Sequence, residues 1–139
     1  MSPRTTKQFE VIRQERRSEI LDAALHVFAE EGYHSASVSR IAKKANVSKG
    51  LMYNYFDSKE AVLRTLMYDL FDYAMDLMKI QPDEVITDER FAEIIELSIQ
   101  IPLKEPQRWK LYMSFVFQKD VTEMLMAQMA DKMLPYMNA

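Results

Sequence analysis

The chain has 139 residues, 48% of them apolar, with eleven methionines, no cysteine and a formal net charge of -3. That length supports one or two small cores, and the missing cysteine excludes disulfides and thiolate metal sites. No apolar run reaches membrane-spanning length, and the N-terminal stretch MSPRTTKQFEVIRQERR lacks the apolar segment of a signal peptide, so a soluble cytoplasmic protein with no membrane partner is expected.

Charge is unevenly placed. Met1 to Lys59 carries ten Lys plus Arg against seven Asp plus Glu, and Glu60 to Ala139 carries eight against fourteen. A mildly basic front and an acidic back fit a protein that presents one end to nucleic acid; chance asymmetry on a solvated surface is the plainer reading. Residues 1–16 hold Pro3, Arg4, Lys7, Arg13 and Arg16 and are expected to be a flexible basic arm running into a helix near Phe9 to Arg13. Such an arm either adds phosphate or minor-groove contacts or is a solvated tail.

Between Arg13 and Glu31, Ile20, Ala24, Val27 and Phe28 recur at helical spacing, with Leu21 and Ala23 widening the stripe, and Gly32 is placed to stop the helix. Ser37 is the expected N-cap of a second helix carrying Val38, Ile41, Ala42 and Ala45. Asn46 then falls where the chain needs a left-handed turn, which Asn tolerates better than most residues. Ser48 caps a third helix whose faces differ. Met52 and Phe56 point inward; Lys49 with Tyr53, and Gly50 with Asn54, point outward, and Leu51 and Tyr55 sit at the boundary. A cation and bare backbone at a helix start suit a phosphate. Asn and Leu on such a face suit adenine and the thymine methyl in a DNA major groove, while Lys and Tyr reach phosphate. The competing reading makes Tyr53 and Tyr55 packing residues and Lys49 and Lys59 solvated charge.

Ser58 caps a long helix predicted to end at Lys79, with Ala61, Val62, Leu66, Leu70, Phe71, Ala74, Leu77 and Met78 in a broad apolar stripe. It is long enough to act as a lever between two units, or simply to connect them. A loop around Pro82 leads to a helix from Thr87 or Asp88 to about Ile101, and Pro102 and Pro106 are expected to bracket a short loop. Pro106 suits the first position of a helix carrying Trp109, Tyr112, Met113, Val116 and Phe117. The last helix follows Lys119-Asp120 and carries Val121, Met124, Leu125, Met129, Met133 and Leu134, stopping before Pro135. Pliable methionines here suit either a pocket for apolar ligands or a core and subunit interface.

Enzyme chemistry finds no support in the sequence. His26 and His34 have no partner at metal spacing, no motif activates a serine, and acid pairs such as Glu30-Glu31 and Asp88-Glu89 read as helix-end charge. No cofactor is expected. The alternative to DNA binding is a helical protein-interaction module with the same head packing.

The stretches ILDAALHVFAEEGYHSASVSRIAKKANVS and KGLMYNYFDSKEAVL together resemble the DNA-binding domain of the TetR family of bacterial transcriptional repressors, from about Arg17 to Leu66. The resemblance implies an all-α fold: a three-helix helix-turn-helix head over 17–63, joined by a long helix to a helical ligand-binding and dimerisation domain over 64–139, incomplete at its C-terminus against the family pattern. It implies Ile20, Ala23, Ala24 and Phe28 as core, and Lys49, Gly50, Tyr53, Tyr55 and Lys59 at positions that touch DNA. Adding Ser37, Ser39, Arg40, Ser48, Leu51 and Asn54 completes the candidate contact set. Asn46 stands where the family has Gly, and Leu51 where a small or hydroxylated residue is common. The implied partners are a palindromic duplex operator, a small apolar or amphipathic effector, and a second subunit. The sequence stops at PYMNA before the two helices with which the family pairs, so the Met-rich C-terminal helices are the expected site of any dimerisation. Met67, Phe71, Met75, Trp109, Tyr112 and Met113 are the candidate lining of the effector pocket.

Overall fold

In the computed structural model, residues 5–137 are described. Among them are seven helices and no strand: α1 (Thr6–Glu31), α2 (Val38–Lys44), α3 (Lys49–Tyr53), α4 (Lys59–Met78), α5 (Asp88–Lys104), α6 (Pro106–Val116) and α7 (Lys119–Met137). The class is therefore all-α. The chain forms two compact units, Met1–Leu63 and Arg64–Ala139, and α4 contributes residues to both. Among the described residues no helix is long and apolar enough to cross a membrane.

In the first unit, Ile20, Ala24 and Phe28 of α1 are fully buried, as the helical spacing predicts, and so is Leu25, which that stripe does not include. Ile41 of α2, Met52 of α3 and Val62 and Leu63 of α4 are equally inaccessible, so each helix contributes to the core of this unit. Gly32 ends α1 at φ 78°, its N–H donating to the Phe28 carbonyl at 3.0 Å.

The expected flexible arm is corrected. Met1–Arg4 lie outside the described residues, but from Thr6 the chain is already helical. Thr5 and Gln8 cap it reciprocally: the Gln8 N–H donates to Thr5 Oγ1 at 3.2 Å, and the Thr5 N–H donates to Gln8 Oε1 at 2.8 Å. This capping box satisfies two of the four orphan amides at the start of a helix. It moves the start of α1 toward the N-terminus from the Phe9 to Arg13 region.

In the second unit, Thr87 caps α5 by accepting from the Arg90 N–H at 3.2 Å. The Arg90 guanidinium, largely buried, donates to Glu84 at 2.5 Å, to Glu93 at 2.8 Å, and to the Met78 and Lys79 carbonyls at 2.9 and 2.8 Å. One side chain thus ties the carbonyls at the end of α4 to the first turn of α5. Buried Ile101, Tyr112, Phe115, Val121 and Leu125 form the inner faces of α5, α6 and α7.

Two prolines do not end helices where the sequence predicts. Pro102 lies inside α5, which continues to Lys104, and Pro135 lies inside α7, which continues to Met137. A proline forfeits its own amide bond, but its fixed φ is compatible with a helix. The break after α5 falls instead at Glu105 (φ -134°, ψ 66°), the residue driven out of the helical region by the ring of Pro106.

Candidate nucleic-acid interface

The interface is organised by the turn between α2 and α3. Ser37 accepts from the Arg40 N–H at 3.2 Å and Ser48 from the Leu51 N–H at 3.0 Å, so both helices start at a serine cap. Between them Asn46 takes φ 57°, the left-handed conformation predicted for it. The Ala45 amide closes on Ile41 at 2.9 Å, and the Val47 amide on Ala42 at 3.0 Å. The turn therefore leaves no slack between the two helices.

The third helix is shorter than predicted. Regular α-helix ends at Tyr53, with Asn54 as its C-cap. The amides of Tyr55 and Phe56 both bond to the Met52 carbonyl, at 2.9 and 3.0 Å, drawing the chain into a tightened last turn. The division into faces survives this. Met52 and Phe56 are buried, Leu51 and Tyr55 are half-buried, and Lys49, Gly50, Tyr53 and Asn54 are exposed. A methyl group added at Gly50 would meet no atom within 4 Å, so internal packing imposes no requirement for glycine there.

Other candidate contacts are placed differently. Ser39 is exposed, and the hydroxyls of Ser37 and Ser48, though accepting cap bonds, each retain an O–H to donate. The Arg40 guanidinium is exposed but donates to the Glu31 carboxylate, which shares its charge. Lys59 departs furthest from its expected part as a phosphate contact. Its ammonium donates to the carbonyls of Tyr33 at 2.9 Å, His34 at 3.1 Å and Ala36 at 3.2 Å, and lies 4.5 Å from the centre of the Tyr33 ring. An ammonium has three N–H donors, and here each has a carbonyl.

Residues 20–66 match the family model described as bacterial regulatory proteins, tetR family. Over these residues the head is similar to the TetR family. The fatty acid metabolism regulator protein of Bacillus subtilis is 40% identical over 78 residues, covering 55% of this chain and 40% of that protein. The transcriptional regulator UidR of Escherichia coli is 43% identical over 54 residues, covering 39% of this chain and 28% of its own. Among solved structures, the fatty acid degradation regulator FadR of Bacillus halodurans superposes with a TM-score of 0.66 at 29% identity, over 99% of this chain and 65% of that one. The chain thus spans less than two thirds of each of these relatives.

Arg13, expected only as one of the charges of a flexible arm, is placed on α1 beside α3. The Arg13 guanidinium sits 5.7 Å over the Tyr55 ring, and Phe9, Ile12, Arg13, Leu51, Asn54 and Tyr55 line one open cleft of about 470 Å³. The N-terminal half of α1 therefore borders the exposed face of α3. The basic composition of the arm was the available signal; nothing local in sequence relates Arg13 to Tyr55.

The residues expected to line a single effector pocket do not do so. Phe71 and Met75 line an apolar slot of about 330 Å³ with Ile86, Phe91, Ile94 and Met133 among its walls, and Phe71 packs edge-on against Tyr136 at 5.6 Å. Trp109 and Tyr112 line a separate cavity of about 320 Å³ with Asp69, Tyr73, Glu105 and Arg108. Met67 and Met113 line neither cavity. Tyr112 is buried, with its hydroxyl donating to the Leu66 carbonyl of α4 at 3.4 Å. Burial pushes its phenol above the ordinary tyrosine value.

Proposed function

We propose that this chain is a DNA-binding transcriptional regulator that places the exposed face of α3 in the major groove of a palindromic operator and represses until a small effector releases it. The observation that carries this reading is the pairing of a rigid left-handed turn at Asn46 with a helix whose outer face, Lys49, Gly50, Tyr53 and Asn54, is exposed while its inner face is fully buried. In this reading Asn54 and Leu51 meet base edges. Lys49, Tyr53, Tyr55, Ser37, Ser39, Ser48 and, once freed from Glu31, Arg40 meet the backbone, and Arg13 joins them from α1. Residues 17–63 form the DNA-binding domain and 64–139 the regulatory one. A homodimer matches a two-fold operator, and the site of action is the cytoplasm.

The effector is apolar or amphipathic. Support comes from the slot between Phe71, Met75 and Met133, whose walls suit an alkyl chain, and from two relatives named as regulators of fatty acid metabolism and fatty acid degradation.

Fluorescence anisotropy with labelled duplexes over a salt series tests the DNA reading. The affinity is expected to fall steeply with salt, and Arg13→Gln to lower the salt slope by roughly 0.9, the share of one released counterion. Affinity indifferent to salt, or no binding to any duplex, favours the protein-interaction module instead. Saturated acyl chains added to the complex are expected to release the DNA and raise the melting temperature of the free protein, because linkage requires both from one binding event.

A further inference from the structure

The α1–α2 loop is held by the first turn of α4. The Lys59 ammonium spends all three donors on the loop carbonyls of Tyr33, His34 and Ala36, and stands 4.5 Å from the Tyr33 ring centre. Its neighbour Glu60 accepts a hydrogen bond from the Tyr33 hydroxyl, and burial followed by this carboxylate's charge pushes the phenol far above its ordinary value. Two consecutive side chains of α4 thus grip one loop, one through its carbonyls and one through its tyrosine.

Ala36 immediately precedes Ser37, the cap of α2, so the gripped segment is the one that aims α2. The turn at Asn46 has no slack, so α3 follows α2. We infer that Lys59 is a positioning residue for DNA binding: it latches the α1–α2 loop to the start of α4, and so sets the pose of α2 and α3, instead of contacting a phosphate. The inference rests on the reading that the head binds DNA. It also gives the start of α4 a hold on the reading helix, exerted through the loop and α2. A rotation of the start of α4 would carry the loop with it.

Chemistry separates the latch from a phosphate contact. Three carbonyls converging on one point suit an ammonium, whose donors radiate from a single atom, whereas a guanidinium spreads its donors over a planar fork. A phosphate accepts either cation. The test uses the full chain with Lys59→Met and Lys59→Arg, read by amide hydrogen exchange and by anisotropy with a labelled mixed-sequence duplex over a salt series.

In both variants, exchange at the amides of residues 34–38 is expected to rise by on the order of ten- to a hundredfold, the range one charge-assisted bond supplies. Exchange in the core of α1 at Leu25 and Phe28 should stay slow, which separates release of the loop from general unfolding. DNA affinity should fall in both variants with the salt slope of the unaltered chain. A slope lowered by roughly 0.9 in Lys59→Met, with loop protection intact and full affinity in Lys59→Arg, would make Lys59 a phosphate contact and overturn the latch. Faster loop exchange with unchanged DNA affinity would overturn the positioning role. Should the unaltered chain show no salt-dependent DNA binding, the DNA reading and the positioning role fall together, and exchange alone decides whether the latch exists.

Discussion

The two units of this protein dispose of their apolar side chains in opposite ways. In the first, Ile20, Leu25, Phe28, Ile41, Met52, Val62 and Leu63 are sealed from solvent, and the large apolar side chains left exposed among the described residues are Phe9, Val11 and Tyr53, all on α1's first half or the outer face of α3. In the second, Phe91, Ile95, Ile99 and Leu103 run down α5 at four-residue spacing, each about half exposed or more, and Phe117, Met126 and Met137 are more open still. The head closes a core of its own, and of its remaining exposed groups Tyr53 and Phe9 lie where DNA is proposed. The second unit closes around Tyr112, Phe115 and Val121 but leaves one side of α5 in water. Exposed apolar surface of this extent is uncommon on a chain that works without contacts.

The sharpest way to break this contrast is to remove equivalent side chains from each unit. Leu25→Ala in the head should cost about 2 to 5 kcal/mol, since a cavity is added to the lost transfer energy. Ile99→Ala, already 55% exposed, should change stability by no more than about 0.5 kcal/mol. Urea denaturation of both variants decides it, and similar losses would show that α5's stripe is buried in solution. Binding of a hydrophobic dye should drop for Ile95→Glu with Ile99→Glu and should not respond to substitutions in the head.

Next in size is the turn. Asn46→Val should destabilise by roughly 1 to 2 kcal/mol, because a β-branched residue resists positive φ, whereas Asn46→Gly should be neutral or mildly stabilising. Equal melting temperatures for the two would contradict the left-handed turn. Gly50→Ala is smaller and of opposite sign. With open space around the new methyl, it should stabilise α3 by roughly 0.5 to 1 kcal/mol. It should nevertheless weaken DNA binding if the backbone there approaches the groove closely, so stability and affinity move in opposite directions. A variant that gains stability and keeps full affinity would remove Gly50 from the interface.

The smallest effect lies in the second unit. The hydrogen bond from Arg90, helped by the Gln81 amide, holds the Glu84 carboxyl below the ordinary glutamate range. A carboxyl whose folded value is lowered contributes stability above its unfolded value, and loses it as pH falls through the folded one. The contribution should therefore be complete at neutral pH and fade below about pH 4.3, the ordinary glutamate value. Glu84→Gln should flatten the acid limb of thermal stability and leave the limb above pH 6 parallel to that of the unaltered protein. An unchanged acid limb would mean that the ion pair is not formed in solution.

What was legible in the sequence lies within about one helical turn of each residue. The caps at Ser37, Ser48 and Thr87, the buried pair Met52 and Phe56, the stop at Gly32 and the left-handed Asn46 all follow from interactions between positions at most four or five apart, and side-chain type alone expresses them. The capping box at Thr5 and Gln8 was legible by the same rule, but the basic composition of the arm pointed elsewhere. The prolines show the limit of such rules. Pro102 and Pro135 each weigh against helix locally, yet α5 and α7 pass through them.

Tertiary structure alone decided the rest. Lys59 meets carbonyls 23 to 26 positions earlier, so a lysine that reads as a phosphate contact becomes the latch of a loop. Arg13 meets Tyr55 across 42 positions, and the residues expected to share one pocket line two cavities. Cations and aromatic rings have many possible partners and no periodicity of their own. Their roles are set by which distant backbone or ring the packed core brings within reach, whereas the faces and ends of helices are set by neighbours the chain carries beside them.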